Sequence, residues 1–188
     1  MKVLIEVSAR HVHLSQKDLE KLFGKGFLYK KLKDLSQTGE FATKHTVDLA
    51  GPKGKLLKVR VLGPIRSHTQ IELAKTDAYK LGITPPVLES GHLRGSVGCE
   101  IKGPKGKIKL KSGVILAERH FHCDPKTAEK LGIKNNQFVK MKILGPRALV
   151  FDKVVVRVAP NFNPTVHLDT DEGNAAGIEG TAMGELII

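Results

Sequence analysis

Two segments carry the same motif, Arg10-His11-Val12-His13 and Arg119-His120-Phe121-His122. Each copy follows an apolar run, residues 3–7 in the first case and residues 114–117 in the second. On an extended strand, side chains at positions i and i+2 project from the same face, so both imidazoles of a copy can reach one cation. The repeated motif therefore predicts two related halves, each with a histidine pair on a short strand.

Two further echoes support an internal repeat. Residues 69–73 read Thr-Gln-Ile-Glu-Leu and residues 165–168 read Thr-Val-His-Leu, and both stretches lie about ten residues before a Gly-Ile pair. The sequence Gly-Pro-Lys-Gly-Lys occurs at residues 51–55 and again at residues 103–107. We interpret all three echoes as marks of two structurally related halves.

Most local patterns indicate strands. Apolar or alternating runs bounded by glycine and proline occur at residues 59–62, 107–110, 138–144 and 154–158. The two Gly-Pro-Lys-Gly segments are typical of tight hairpin turns, because proline presets φ and glycine accepts positive φ.

The helices are expected to be short. Ser15 is a candidate N-cap of a helix that Gly24 ends, and Asp124 caps a second helix with Pro125 in its first turn and Gly132 at its end. The sequence therefore predicts a mainly β fold, with two small β-barrels or sandwiches decorated by short helices.

Composition narrows the class of protein. The chain has 188 residues, with 31 Lys or Arg against 19 Asp or Glu and a formal net charge of +12. Its apolar runs are far shorter than the roughly 20 residues that span a bilayer, and no signal peptide is evident. Cys99 and Cys123 cannot form a disulfide framework, and we expect both thiols to pack in the interior. The positive charge would attract nucleic acid, an anionic membrane surface or phosphorylated small molecules, or would simply belong to a solvated surface.

The histidine pairs are candidate metal ligands, although a surface or core histidine pair is the alternative. A catalytic zinc usually has three protein ligands, and the second echo supplies Glu72 in one half and His167 in the other. The predicted groups are His11, His13 and Glu72, and His120, His122 and His167. Zn²⁺ fits these donors best, with Co²⁺ and Ni²⁺ as alternatives. The other histidines, which have no counterpart in the opposite half, are expected to be structural or exposed: His45, His68 and His92.

Arg66 follows a Gly-Pro-Ile segment six residues before Glu72. Its guanidinium could bind phosphate through two parallel hydrogen bonds, and an arginine on an exposed loop is the alternative.

Several motifs taken together resemble the PduL-type phosphate acyltransferases. In unbroken order they are VSARHVHLS at 7–15, LSQTGEFA at 35–42, LGPIR at 62–66, RHFH at 119–122 and HLDTDEGNAA at 167–176. The resemblance implies an enzyme that converts a short-chain acyl-CoA and inorganic phosphate reversibly to an acyl phosphate and free CoA. It also implies two β-barrels with a two-zinc site between them, one over residues 9–116 and one over 117–188, the second joined by the N-terminal strand 1–8.

The resemblance assigns residues by position. The family's metal ligands fall on His11, His13, Glu72, His120, His122 and His167, and its catalytic arginine falls on Arg66. Contacts to CoA would fall on Ser8, Lys33, Arg60, Leu62, His167 and Asn174, with Tyr79 packing on the adenine. The family further implies a homodimer, and the short stretch before His11, without the amphipathic extension of microcompartment members, predicts a free cytoplasmic enzyme.

Direct transfer in a ternary complex is our hypothesis for the reaction, because no nucleophilic residue for an acyl-enzyme is evident. The main alternative is a dinuclear zinc hydrolase of phosphate esters or acyl phosphates, since the same ligands can activate water. A basic nucleic-acid-binding barrel is a further alternative, but such platforms rely on aromatic stacking and this chain has seven Phe, two Tyr and no Trp. Acetyl and propanoyl substrates cannot be told apart from sequence, because one methylene discriminates by only about 1–3 kcal/mol.

Overall fold

The computed structural model describes residues 1–188. Strands make up more of the chain than helices do. They are, in chain order, β1 (Lys2–Ser8), β2 (His11–Ser15), β3 (Lys31–Asp34), β4 (Phe41–Ala50), β5 (Lys55–Arg66), β6 (Gln70–Leu73), β7 (Val87–Leu88), β8 (Glu100–Lys102), β9 (Lys107–Lys109), β10 (Val114–Ala117), β11 (His120–Cys123), β12 (Phe138–Ile143), β13 (Leu149–Val158), β14 (Thr165–Asp169) and β15 (Thr181–Ile187). The helices are α1 (Gln16–Phe23), α2 (Lys75–Leu81), α3 (Pro125–Leu131) and α4 (Thr170–Ala176). None of them is long and apolar enough to cross a bilayer.

The chain forms two compact units. One, the barrel unit, comprises Met1–Ala9, Ser36–Thr38 and Glu118–Ile188. Its six strands close into a barrel in the order β1-β14-β11-β13-β12-β15. Alternating apolar side chains fill this barrel, and Ile5 and Phe121 are fully buried in its core.

The other unit, the open-sheet unit, comprises Arg10–Leu35 and Gly39–Ala117. Its nine-stranded sheet runs in the order β7-β10-β6-β2-β5-β4-β8-β9, with β3 paired to β4. The mainly β class with short helices is confirmed: one sheet closes into a barrel, whereas the other curls into a half-barrel and stays open. All four predicted strand segments are present. β9 and β12 end one residue earlier than predicted, whereas β5 extends four residues further at each end and β13 begins five residues earlier.

The predicted helix caps are confirmed. The Ser15 hydroxyl accepts a hydrogen bond from the Asp18 N–H at 3.3 Å, and the Asp124 carboxylate accepts from the N–H groups of Lys126 and Thr127. Each cap satisfies backbone donors that have no partner inside the helix. Both helices therefore begin directly after the strands that carry the histidine pairs, β2 and β11.

The two Gly-Pro-Lys-Gly segments are hairpin turns, as predicted, and they join β4 to β5 and β8 to β9. Both lie in the open-sheet unit, so this echo does not relate the two halves of the chain. Each turn instead packs on the C-terminus of a helix: the Lys53 N–H donates to the Leu81 carbonyl at 3.0 Å, and the Lys105 N–H donates to the Leu22 carbonyl at 2.9 Å. The shared sequence reflects this shared packing.

Candidate functional site

The predicted ligands meet because two pairs of strands have the same register. In the open-sheet unit, β2 runs antiparallel to β6 with His11 opposite Glu72. In the barrel unit, β11 runs antiparallel to β14 with His120 opposite His167. Residues directly opposite on neighbouring strands have side chains within reach of each other, so each histidine pair gains a third donor from the next strand.

Two groups of potential ligands result, which we name the His11 group and the His120 group. The His11 group contains His11, His13 and Glu72, and its ligand atoms all lie within 4.8 Å of one another. The His120 group contains His120, His122 and His167, and its potential ligand atoms also lie within 4.8 Å of one another. All six residues are those predicted from the repeat.

Buried ring nitrogens without partners indicate that the groups suit a metal. Both ring nitrogens of His122, and Nδ1 of His13, are buried and have no hydrogen-bond partner. A buried polar atom without a partner costs stability, and a bound metal ion would remove this cost by accepting the lone pair of the ring nitrogen. Two imidazoles with a carboxylate, and three imidazoles, are both donor sets that Zn²⁺ accepts.

The electrostatics keep these imidazoles in the form that binds metal. Burial, followed by the nearby His11 and Arg66, lowers the pKa of His13 well below its usual value. Burial, followed by the neighbouring histidines and Arg157, lowers the pKa of His122 to about 2. Both rings are therefore neutral at physiological pH, with a lone pair available for coordination.

Glu72 is held by two residues that the sequence analysis did not identify. Its Oε1 accepts hydrogen bonds from Gln70 Nε2 at 2.6 Å and from Ser90 Oγ at 2.8 Å. Gln70, only 1% exposed, is itself fixed because its Oε1 accepts from the Gly91 N–H. The other carboxylate oxygen, Oε2, lies 3.6 Å from His11 Nε2. One oxygen of Glu72 is therefore anchored while the other faces the histidine pair, which is how outer residues orient a metal-binding carboxylate.

The His120 group has an equivalent outer layer. His120 Nδ1 donates to the Glu118 carbonyl at 2.8 Å, which sets the ring tautomer and leaves Nε2 as the nitrogen that could coordinate a metal. Gln37 places its Nε2 3.4 Å from His167 Nε2, and the carboxylate of Glu6 lies 3.9 Å from His167 Nδ1. Phe162 stacks on the His122 ring with 3.9 Å between centroids.

One of these outer residues, Gln70, had a detectable signal in the sequence. Gln70 stands two residues before Glu72 and therefore on the same face of the strand. Gln37, Ser90 and Glu6 come from distant segments, and only the folded chain brings them to the ligands.

Arg66 lies beside the His11 group. Its Nη2 donates to Glu40 Oε1 at 2.9 Å and its Nη1 to Ser90 Oγ at 3.4 Å. Since Ser90 also donates to Glu72, one hydroxyl connects the guanidinium to a predicted metal ligand. The Arg66 side chain is 27% exposed, so an anion from solvent can reach it.

The residues assigned to CoA by resemblance fall into both units. Arg60 and Leu62 lie on β5 directly beside His11 and His13 in the parallel β2–β5 register. Lys33 is exposed on β3, and Tyr79 is 79% exposed on α2 with the Lys53 ammonium 5.8 Å from its ring. In the barrel unit, Ser8 lies opposite Asp169, and Asn174 is exposed on α4.

The remaining histidines and cysteines have the structural surroundings that were expected. His45 packs against Phe23 and Phe27 and accepts a hydrogen bond from the Lys30 N–H. His68 and His92 are exposed, and His92 pairs with Glu89. Cys99 belongs to the core of the open-sheet unit and Cys123 to that of the barrel unit.

Comparison with known proteins identifies the family. The family model described as phosphate propanoyltransferase matches residues 4–179. A phosphate propanoyltransferase of Thermotoga maritima is 49% identical over 175 residues, which are 93% of this chain and 83% of the relative. One of Priestia megaterium is 50% identical over 184 residues, 98% of this chain and 85% of the relative. One of Clostridioides difficile is 44% identical over 183 residues, 97% of this chain and 88% of the relative. The chain therefore belongs to the phosphate propanoyltransferase family of acyltransferases.

Proposed function

We propose that this acyltransferase moves a short-chain acyl group reversibly between CoA and inorganic phosphate, with one zinc ion in the His11 group and one in the His120 group. The observation that carries the proposal is the recurrence of one arrangement. In both units a histidine pair and a third donor lie on two antiparallel strands in the same register, with buried ring nitrogens that have no protein partner.

The ligands would be the imidazoles of His11, His13, His120, His122 and His167 and the carboxylate of Glu72. Zinc bound there supplies a Lewis acid that orients phosphate and polarises the oxygen on which negative charge develops. The chain itself fixes the ligands: Gln70 and Ser90 hold Glu72, and the Glu118 carbonyl holds the tautomer of His120.

Arg66 would bind the phosphate and stabilise the charge of the tetrahedral oxyanion. A guanidinium has five N–H donors, and the bonds to Glu40 and Ser90 use two of them. The others can form paired hydrogen bonds to phosphate oxygens, and donors held in place before the reaction need no reorganisation during it.

The reaction would be a direct transfer. In the direction of acyl phosphate formation, a phosphate oxygen attacks the thioester carbonyl carbon, the carbon–sulfur bond breaks, and CoA leaves as a thiolate that then takes a proton. The cysteines are unsuited to a covalent intermediate because both are buried, and burial raises the pKa of Cys99 to about 12 and that of Cys123 to about 11.

CoA would contact Ser8, Lys33, Arg60, Leu62, His167 and Asn174, with Tyr79 against the adenine. Arg60 and Leu62 support this proposal because they flank the histidine pair on the neighbouring strand. The cationic side chains of Lys33 and Arg60 suit the phosphates of CoA.

The test is an assay of free thiol release from acetyl-CoA and from propanoyl-CoA, with and without phosphate. Acyl phosphate is measured in the same samples as the hydroxamate that it forms with hydroxylamine. We expect thiol release to require phosphate and to match acyl phosphate formation one to one. Thiol release without phosphate would instead indicate a hydrolase and would overturn the proposal.

The direct step has its own test in initial rates measured while both substrates are varied. A ternary complex gives intersecting lines in double-reciprocal plots. Parallel lines, as in ping-pong kinetics, or a trapped acyl-enzyme would contradict direct transfer.

A further inference from the structure

The arginine of each Arg-His-X-His motif forms an ion pair. Arg10, directly before His11, has Nη1 2.9 Å from Asp77 Oδ1. Arg119, directly before His120, has Nε 2.6 Å from Glu172 Oε1. The two arginines therefore make the same kind of contact in two separate units.

The acidic partners also occupy equivalent positions. Counted from the third ligand of each group, the acid lies at the same spacing, from 72 to 77 in one half and from 167 to 172 in the other. Each is the third helical residue of the helix that follows the third-ligand strand, α2 or α4. The whole unit of arginine, histidine pair, third ligand and acid is thus repeated.

Helix capping alone does not explain this repeat. Acidic residues are favoured at this position of helices, and Glu172 does complete a capping box by accepting from the Asp169 N–H at 3.0 Å. Helix α2, however, has Ala74 at its N-cap position and therefore no side-chain cap. What the two copies share is the ion pair with the arginine.

The pairs are also placed where they constrain the ligands. The side chains of Asp77 and Glu172 are only 10% and 17% exposed, whereas those of Arg10 and Arg119 are 43% and 35% exposed, so each pair joins a largely buried carboxylate to a partly exposed guanidinium. A largely buried carboxylate holds its arginine partner in one orientation more firmly than an exposed carboxylate would. Each pair ties the residue before the first histidine to the helix after the third ligand.

We propose that Arg10 with Asp77, and Arg119 with Glu172, are positioning pairs for the two metal groups. Strand register sets where the third ligand lies along its strand. The ion pair then fixes the start of the histidine-pair strand against the helix that follows the third-ligand strand. The inference rests on the proposed metal binding. Outer contacts of this type typically change metal affinity by about 10- to 100-fold when they are removed.

The experiment measures zinc affinity by competition with a chromophoric chelator in the full-length chain. The variants are Asp77→Asn and Glu172→Gln, which keep side-chain shape and remove the charge. We expect each variant to bind one of two zinc equivalents about 10- to 100-fold more weakly and the other as the unmodified chain does. Glu185→Gln is the matched control, because Glu185 also lies in the barrel unit and pairs with the partly exposed Lys142 at 3.8 Å.

A second readout separates positioning from general support of the fold. Thermal unfolding is measured with and without zinc, and Co²⁺ spectra report the geometry of the substituted groups. A positioning pair predicts a smaller zinc-induced rise in Tm and an altered Co²⁺ spectrum for one group, with restoration in the exchanged pair Arg10→Asp, Asp77→Arg. If Asp77→Asn does not fold, Arg10→Lys is judged by the same zinc measurement.

The outcomes are distinguishable. An unmodified chain that binds no zinc would overturn the proposed function itself. Two zinc equivalents with unchanged affinity in Asp77→Asn and Glu172→Gln would overturn the positioning pairs alone. An equal loss of Tm with and without zinc would likewise assign the pairs to fold stability only.

Discussion

At the scale of single residues, the two oxygens of the Glu72 carboxylate have different partners. Gln70 and Ser90 both donate to Oε1, while Oε2 faces His11. Ser90 also accepts from Arg66, so the guanidinium and the carboxylate of this predicted ligand share a hydroxyl. This link places a positive charge next to the proposed metal without requiring Arg66 to be a ligand.

Replacing Arg66 tests its assigned role. We expect Arg66→Ala to lose about 100- to 1,000-fold in kcat, as when one oxyanion donor is removed, while zinc content stays unchanged because Arg66 is not a ligand. Arg66→Lys should recover only part of this loss, since an ammonium lacks the planar pair of donors. Arg94→Ala, at an exposed arginine, is the control. Full activity in Arg66→Ala would refute the role, and loss of zinc would show that Arg66 acts through the ligands.

The cysteines give a prediction about pH. Burial raises the pKa of both thiols, to about 12 for Cys99 and about 11 for Cys123, so both are protonated and poorly nucleophilic near neutrality. At pH 8 the native chain should react with Ellman's reagent about 100-fold or more slowly than free cysteine, and faster as pH rises because the thiolate fraction increases. After unfolding in guanidinium chloride, both cysteines should react rapidly, giving two reactive thiols per chain. Rapid reaction of a native thiol would contradict this burial.

At the scale of elements, two hairpins close over the C-termini of two helices. A Cβ on Gly51 would lie 2.3 Å from the Leu81 carbonyl oxygen, and one on Gly103 would lie 2.5 Å from the Leu22 carbonyl oxygen. Backbone therefore approaches backbone at a distance that only glycine permits.

Gly51→Ala and Gly103→Ala should each destabilise the chain by about 1–3 kcal/mol, the usual cost of forcing extra atoms into a packed region. Urea unfolding measures this change. Lys53→Ala is the control, because it keeps the N–H that donates to Leu81 and should change stability little. Alanine variants at Gly51 and Gly103 with unaltered unfolding midpoints would show that the hairpins can move away from the helices.

The candidate metal ligands were easier to predict from the sequence than the residues that hold them in place. The grouping of the six candidate ligands could be predicted because imidazoles and a carboxylate recur at matching places in a repeat, and strand alternation puts such side chains on one face. Ser90 and Gln37 could not, since their roles depend on which distant segments meet. The Gly-Pro-Lys-Gly echo does not mark two related halves, as the sequence had suggested. It marks a hairpin packed on the C-terminus of a helix, an arrangement that occurs twice within the open-sheet unit.

At the scale of the whole molecule, the chain exchanges leading strands between its halves. Strand β1 precedes the His11 pair in sequence but pairs with β14 of the barrel, whereas β10 precedes the His120 pair but pairs with β6 of the open sheet. Glu6 therefore lies opposite His167, and Ile115 lies opposite Glu72. Each third-ligand strand is flanked by a strand from the other half of the sequence.

This exchange predicts that residues 118–188 cannot fold alone. Without β1, the barrel lacks the strand between β14 and β15 and the fully buried Ile5. That fragment should show no cooperative thermal transition. A rearranged chain, with residues 1–9 attached after Ile188 by a short Gly-Ser linker, should show one, because β15 and β1 are antiparallel neighbours with Glu185 opposite Lys2. Cooperative unfolding of residues 118–188 without the attached residues 1–9 would contradict the prediction.

Zinc reconstitution of the metal-free chain tests the proposed function most directly. The measurement is phosphate-dependent release of CoA from propanoyl-CoA as zinc is added in known ratios. We expect negligible activity without metal and a rise that levels off at two zinc ions per chain, one for the His11 group and one for the His120 group. Full activity in the metal-free chain, or release of CoA that does not depend on phosphate, would contradict it.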